Sequence, residues 1–223
     1  MMNNELKNID PLDISELLVI VEKSFDIKFG ITELEYVETF GELCDHIANK
    51  IQLDNSDDCT TQQAFYKLRD VISSKFEITE KTISPDFLLI NFLPRKNRRA
   101  KTKELERYLG FKLNILRPPH WVTTILFILV IVSILGLYFM PPIGILGLVF
   151  SIGGLRVAYN IGNVLKVQTV GQVAEKMTSE NYLKSRRNSR SFNRREIEKV
   201  LTDLFSNNLG LEKSKLKREA TFV

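Results

Sequence analysis

The sequence predicts an all-α protein with a two-helix transmembrane hairpin, and three observations carry that reading. Trp121 to Met140 is a run of 20 residues without a charge, and Ile143 to Leu165 is a second apolar stretch with the single charge Arg156. Elsewhere, apolar residues recur at helical spacing behind capping residues, and no segment sustains the period of a strand. Charge is also partitioned: residues 1–93 carry net −10, 94–120 net +7, 121–165 net +1 and 166–223 net +6, within a total of +4. The chain therefore divides into an acidic helical head (1–93), a basic juxtamembrane helix (94–120), an apolar hairpin (121–165) and a basic C-terminal helical segment (166–223).

Within the head, Asp10 or Asp13 is placed to cap a helix running to about Phe25, with Leu17, Leu18, Ile20 and Val21 facing inward. Gly30 ends a short extended piece, and Ile31 to Tyr36 is long enough for one turn of helix. Thr39 followed three residues later by Glu42 is a capping box for a helix over Phe40 to Ile51. Asn55 to Asp58 reads as a polar loop, and Thr60 or Thr61 as the cap of a helix from Gln62 to Phe76 that buries Phe65, Leu68, Val71 and Ile72. Pro85 opens a short helix over Asp86 to Phe92, which Pro94 stops. A basic helix follows from Lys101 to Leu109.

The run Trp121–Met140 is about 30 Å long as a helix, the thickness of a bilayer core. Trp121 and Tyr138 sit near its ends, where amphipathic rings prefer the interface. Pro141 and Pro142 break the run, and Gly144, Gly147, Gly153 and Gly154 permit close contact between the two helices. Arg156 faces the partner helix or snorkels to the interface. Both flanks of the hairpin are basic, which predicts an integral protein of the cytoplasmic membrane with both termini cytosolic. Arg95, Lys96, Arg98, Arg99, Lys101 and Lys103 are then candidate contacts to anionic lipid head groups. That placement favours lipid over nucleic acid as the partner of the basic collar.

Beyond the hairpin, Thr169-Val170-Gly171 begins a short helix, Ser179 to Ser191 reads as a polar basic linker, and Arg194 to Ser206 is amphipathic through Ile197, Val200, Leu201 and Leu204. Two pairs of segments echo one another. Thr39-Phe40-Gly41-Glu42-Leu43 matches Thr169-Val170-Gly171-Gln172-Val173, and the stretch from Lys67 to Leu88 matches that from Lys199 to Phe222.

The head also carries a family pattern: Asp10-Pro11-Leu12-Asp13, then Glu16-Leu17, an apolar run to Val21, Glu22, Phe25 and Ile27, then Glu33 to Val37 and Thr39 to Ile47. In order and spacing it resembles the second, third and fourth helices of an acyl carrier protein over about the first 50 residues. The resemblance implies a small four-helix bundle. Pro11 occupies the position at which such a carrier has its phosphopantetheine serine, so it implies a bundle without that cofactor. Ser15 and Ser24 are the nearest hydroxyls. The first helix of a carrier has two counterparts later in the chain, Arg195 to Val223 and, more divergently, Gln62 to Leu89. The resemblance also gives Asp10, Asp13, Glu16 and Glu22 a role in docking a protein partner, an acyl-handling enzyme or a carrier protein.

The sequence has no P-loop, Gly-rich dinucleotide turn, HExxH helix or nucleophile elbow. Cys44, Cys59, His46 and His120 have no metal-ligand spacing. The expectation is a non-enzymatic, membrane-tethered adaptor without cofactor, metal or catalytic residues. The alternatives are a component of an active carrier, completed by another chain or a nonstandard serine, and a membrane enzyme of unrecognised type.

Overall fold

A computed structural model describes Leu6 and residues 9–222. Its helices are α1 (Pro11–Phe25), α2 (Phe40–Lys50), α3 (Thr60–Phe76), α4 (Arg98–Leu109), α5 (His120–Phe139), α6 (Pro141–Ile161), α7 (Val170–Glu180), α8 (Tyr182–Ser185) and α9 (Ile197–Leu209). The class is all-α. Extended structure among the described residues amounts to two-residue strands and isolated bridges: β1 (Asp54–Asn55) pairs in parallel with β4 (Ser191–Phe192), and β2 (Leu116–Arg117) pairs antiparallel with β3 (Val164–Leu165). The chain forms two compact units, one of residues 1–87 with 170–223, the other of residues 88–169. The C-terminal segment thus joins the head, and the boundaries drawn from charge at 93/94 and 165/166 move to 87/88 and 169/170.

In the first unit, α1 starts because Asp10 accepts the Leu12 N–H at 2.9 Å and Pro11, which has no amide donor, takes the first helical position. It ends at Asp26, in the left-handed region at φ 52°, whose N–H returns to Glu22 O. The capping box of α2 forms in both directions, Glu42 N–H to Thr39 Oγ1 at 3.2 Å and Thr39 N–H to Glu42 Oε2 at 3.1 Å. Ile31–Tyr36 is a series of turns rather than a helix: Glu33 N–H donates to Gly30 O, Glu35 N–H to Thr32 O and Val37 N–H to Leu34 O, each spanning three residues and none consecutive, while Glu33 Oε2 takes the Gly30 N–H at 2.7 Å. The helix expected from Gln62 begins two residues earlier, at Thr60, behind Cys59; the Thr60 hydroxyl donates to Glu196 Oε2 at 2.6 Å instead of capping its own helix.

Of the two segments that resemble a first helix, α9 is the one that packs with α1 and α2. Leu17, Val21 and Phe25 of α1, Phe40, Leu43 and Ile47 of α2, and Val200, Leu201, Leu204 and Phe205 of α9 share one core. Phe40 and Phe205 meet edge to face with centroids 5.2 Å apart, a geometry worth about 1 kcal/mol beyond burial. Helix α3 packs instead against α7 and α8.

The internal echo is structural. After α9, the chain turns at Gly210 (φ 68°), makes a short 3-10 turn at Lys213–Lys215, and lays its end on the start of α2: Gly41 N–H donates to Arg218 O at 2.9 Å and Phe40 N–H to Ala220 O at 2.8 Å. After α3, the chain turns at Glu77 (φ 56°), makes a 3-10 turn at Glu80–Thr82, and lays its end on the start of α7: Gly171 N–H donates to Pro85 O at 2.7 Å and Val170 N–H to Phe87 O at 3.0 Å. Both crossings leave little room for a side chain at the glycine. A Cβ on Gly41 would stand 2.9 Å from Arg218 O, and one on Gly171 would stand 3.0 Å from Pro85 O. Pro85 is therefore spent on this crossing, and the helix expected over Asp86–Phe92 shrinks to a 3-10 turn at Leu89–Asn91.

The Ser179–Ser191 stretch is not a linker. Tyr182 is fully buried at 0% exposure, its ring 5.0 Å from that of Phe25, and Ser185 and Arg186 are buried beside it. The charges suggested a solvated segment, but several of its polar groups have internal partners.

In the second unit, α4 starts at Arg98, three residues before the expected Lys101, and buries Arg98, Thr102, Leu105 and Leu109 on one face. Phe92, Leu93, Phe111, Leu113 and Ile115 are buried in the same unit. The β2–β3 ladder joins the residues just before α5 to those just after α6 and closes the base of the hairpin. Helices α5 and α6 are long and apolar enough to cross a bilayer, and only 6% and 17% of their most apolar windows are buried, unlike core helices of a soluble protein. They are separated by Met140 alone. Gly144, Gly147 and Gly154 receive Leu137, Ser133 and Leu126 of the opposite helix, whereas Gly153 faces nothing. Arg156 is exposed.

Candidate functional site

Residues three and four apart share a helix face. On α1 that rule separates a buried side, Leu17, Val21, Ser24 and Phe25, from an outer side that begins at Pro11. Leu12 and Val19 are 72% and 61% exposed there, and Asp13 and Glu16 are exposed between them. Nearby in sequence, Ile31 and Tyr36 are also exposed. Leu12 and Val19 thus stand in solvent beside two carboxylates.

The four acids singled out from sequence do not share one role. Asp13 and Glu16 are surface charges. Asp10 is the cap of α1. Glu22 is half-buried and takes the Phe29 N–H at 2.8 Å and the Lys28 ammonium at 2.9 Å, so it fastens the turn after α1 rather than offering a free charge. Those two bonds, the Phe29 amide first, hold its carboxyl below the usual range. The candidate serines separate equally. Ser24 is 1% exposed, donates to Ser179 O and accepts the Tyr182 N–H, both at 2.9 Å, so it is inaccessible to modification. Ser15 is exposed, with its hydroxyl turned back to Pro11 O at 2.9 Å.

A buried polar cluster was missed in the sequence. Glu196 accepts the Thr60 N–H at 3.0 and 3.1 Å and the Tyr182 hydroxyl at 3.2 Å, and Arg186 donates to Thr60 Oγ1 and to Asp58 O at 3.2 Å. The Asn193 N–H closes the set on Tyr182 Oη at 2.9 Å. Arg186 is 2% exposed, and its Nη2 has no hydrogen-bond partner in the cluster. These are catalytic residue types, but their polar groups are turned on one another and Tyr182 and Arg186 are closed to solvent. The arrangement pins the start of α3 to α8 and to the approach to α9. The one signal for it was a lone tyrosine within a charged stretch. Burial, before all else, pushes the Tyr182 phenol up.

The basic collar also divides. Arg98 is 7% exposed and donates to Leu93 O at 3.0 Å and Asn163 O at 2.7 Å, and Arg99 donates to Asn160 O at 2.8 Å in the last turn of α6. Both cations satisfy carbonyls at or just beyond the end of that helix, where its dipole is negative. Arg98 is thus buried in the unit and Arg99 half-buried, each tied to the end of α6. Arg95, Lys96 and Lys103 remain exposed, and Lys101 is half-buried.

Among the described residues no group of His, Cys, Asp and Glu is placed to hold a metal ion. His46 Nε2 lies 2.7 Å from Glu33 Oε1, and Cys44 is buried in the core with its thiol pushed up to about 12, chiefly by desolvation. No family model, curated protein or solved structure matches this chain.

Proposed function

We propose that the protein is a non-enzymatic adaptor anchored in the cytoplasmic membrane by α5 and α6, with the head on the cytosolic side. The head is a carrier-like bundle that holds an acyl- or thioester-handling partner through the outer face of α1. The observation that carries this reading is the exposed set Leu12, Asp13, Glu16 and Val19, beginning at Pro11, where no hydroxyl exists to bear an arm.

Further support comes from the order of the bundle. Helix α9 and the segment behind it lie against α1 and α2, as the first helix and following loop of a carrier would. The exposed collar residues Arg95, Lys96 and Lys103 suit a leaflet with anionic lipids.

Intact mass of the detergent-purified protein, coexpressed with a phosphopantetheinyl transferase, is the first test. The expected result is an unmodified mass; an added arm on Ser15 would replace the adaptor with an active carrier. A photocrosslinker at Leu12 or Val19 should capture a purified carrier protein or acyl-handling enzyme. The charge reversal D13K/E16K should abolish most of that capture at low salt, with a difference that shrinks as salt is added.

A further inference from the structure

The first unit has a cleft of about 1100 Å³ at the C-terminal end of α1, beside the end of α2 and the Leu183–Arg190 segment. This is the size of a small-molecule site, whose volumes run to roughly 1,000 Å³. Its apolar floor includes Ile27, Ile51 and Leu53. Its cations fall into two groups. Lys28 is paired with Glu22 at 2.9 Å, and Lys50 with Glu33 at 2.5 Å. Lys23, Lys184 and Arg190 are exposed, with no carboxylate partner among the described residues, and Asp26 is the one acid of the lining without an ion pair. The cleft is therefore locally positive in a unit, residues 1–87 with 170–223, whose net charge is −5.

Like charges around one concavity repel, and low-dielectric walls focus their field inward. An anion relieves that repulsion, and an apolar tail would cover the floor. An acidic protein surface fits less well, because its charge would meet the rim while the concave floor stayed wet. We propose that this cleft binds an amphipathic anion, an alkyl or acyl chain ending in a phosphate or carboxylate, with Lys23, Lys184 and Arg190 taking the head and Ile27, Ile51 and Leu53 the chain. The cleft shares Val19 and the end of the outer face of α1 with the adaptor reading, but the inference rests on Lys23, Lys184 and Arg190 and uses none of Pro11, Leu12, Asp13 and Glu16.

The test is native mass spectrometry of the full chain released from a neutral detergent, titrated with dodecyl phosphate, dodecanol, inorganic phosphate or phosphatidylglycerol. The expected result is one dodecyl phosphate per chain, held about tenfold more weakly by K23Q/K184Q/R190Q. The conservative K23R/K184R and the collar variant R95Q/K96Q/K103Q should keep the adduct. Binding of phosphatidylglycerol that is lost in the same triple variant assigns the site to a membrane lipid; dodecyl phosphate binding without it assigns a soluble amphiphile. Equal binding by the triple variant, equal binding of dodecanol, or inorganic phosphate competing as well as dodecyl phosphate would overturn the proposal. None of these outcomes bears on the mass test of the adaptor.

Discussion

Glu33 gathers the Gly30 N–H, the Lys50 ammonium and the His46 ring on one carboxylate, and so ties the turns after α1 to α2. Those bonds, with Lys50 first, lower its carboxyl to about 2 from 4.5. A depressed acid contributes stability that is present above its unfolded value and lost as pH falls through the folded one. E33Q should therefore lower the melting temperature at neutral pH, and the gap to the wild type should close between about pH 4.5 and 2. Thermal melts across that range check it. Cys44 and Cys59 give a second contrast, since one is buried and the other exposed. A thiol reagent should label Cys59 in the native protein and Cys44 only after unfolding, as peptide mapping of the alkylated chain would read. The buried cluster gives a third. E196Q removes the charge facing Arg186 and should destabilise by about 3 kcal/mol, whereas R187Q, one residue along and exposed, should cost under about 0.5 kcal/mol in a denaturant melt.

At the scale of elements, caps and apolar periods were legible in the sequence because they act within one turn of chain. The box at Thr39 and Glu42, the proline start of α1 and the length of α5 follow from neighbouring residues alone. What was not legible depends on partners far along the chain. Thr60 looked like a cap but is held by Glu196. Arg98 and Arg99 looked like lipid contacts, yet they serve the end of a helix some sixty residues later. Tyr182 looked like part of a linker because charge composition says nothing of who is opposite. The paired crossings at Gly41 and Gly171 give a prediction at this scale. G41V and G171V should each destabilise the head, by about 1–3 kcal/mol from overpacking, and each by more than G153V, which meets nothing. Chemical denaturation of the three variants would rank them.

For the whole molecule, the head draws its core from both sides of the apolar hairpin. Phe205 is fully buried against Phe40, and the segment that ends at Phe222 is hydrogen-bonded to Glu38. F205A should cost about 3–5 kcal/mol and loosen α1 and α2 along with α9, which amide hydrogen exchange would detect as a joint loss of protection. The division into acidic head and basic tail was readable from charge, but their union into one unit was not. Charge marks a stretch of chain, whereas the union depends on shape complementarity between elements remote in sequence.

That union has a consequence in time. Synthesis delivers α1 and α2 before the hairpin, and α9 only after it. At about 5–20 residues per second the gap between α2 and α9 is roughly ten seconds. For that interval the apolar faces of α1 and α2 stand without the helix that covers them. A stretch of chain beyond the hairpin is then what completes the head, so a ribosome that stalls inside the hairpin leaves a half-bundle open to proteases and chaperones.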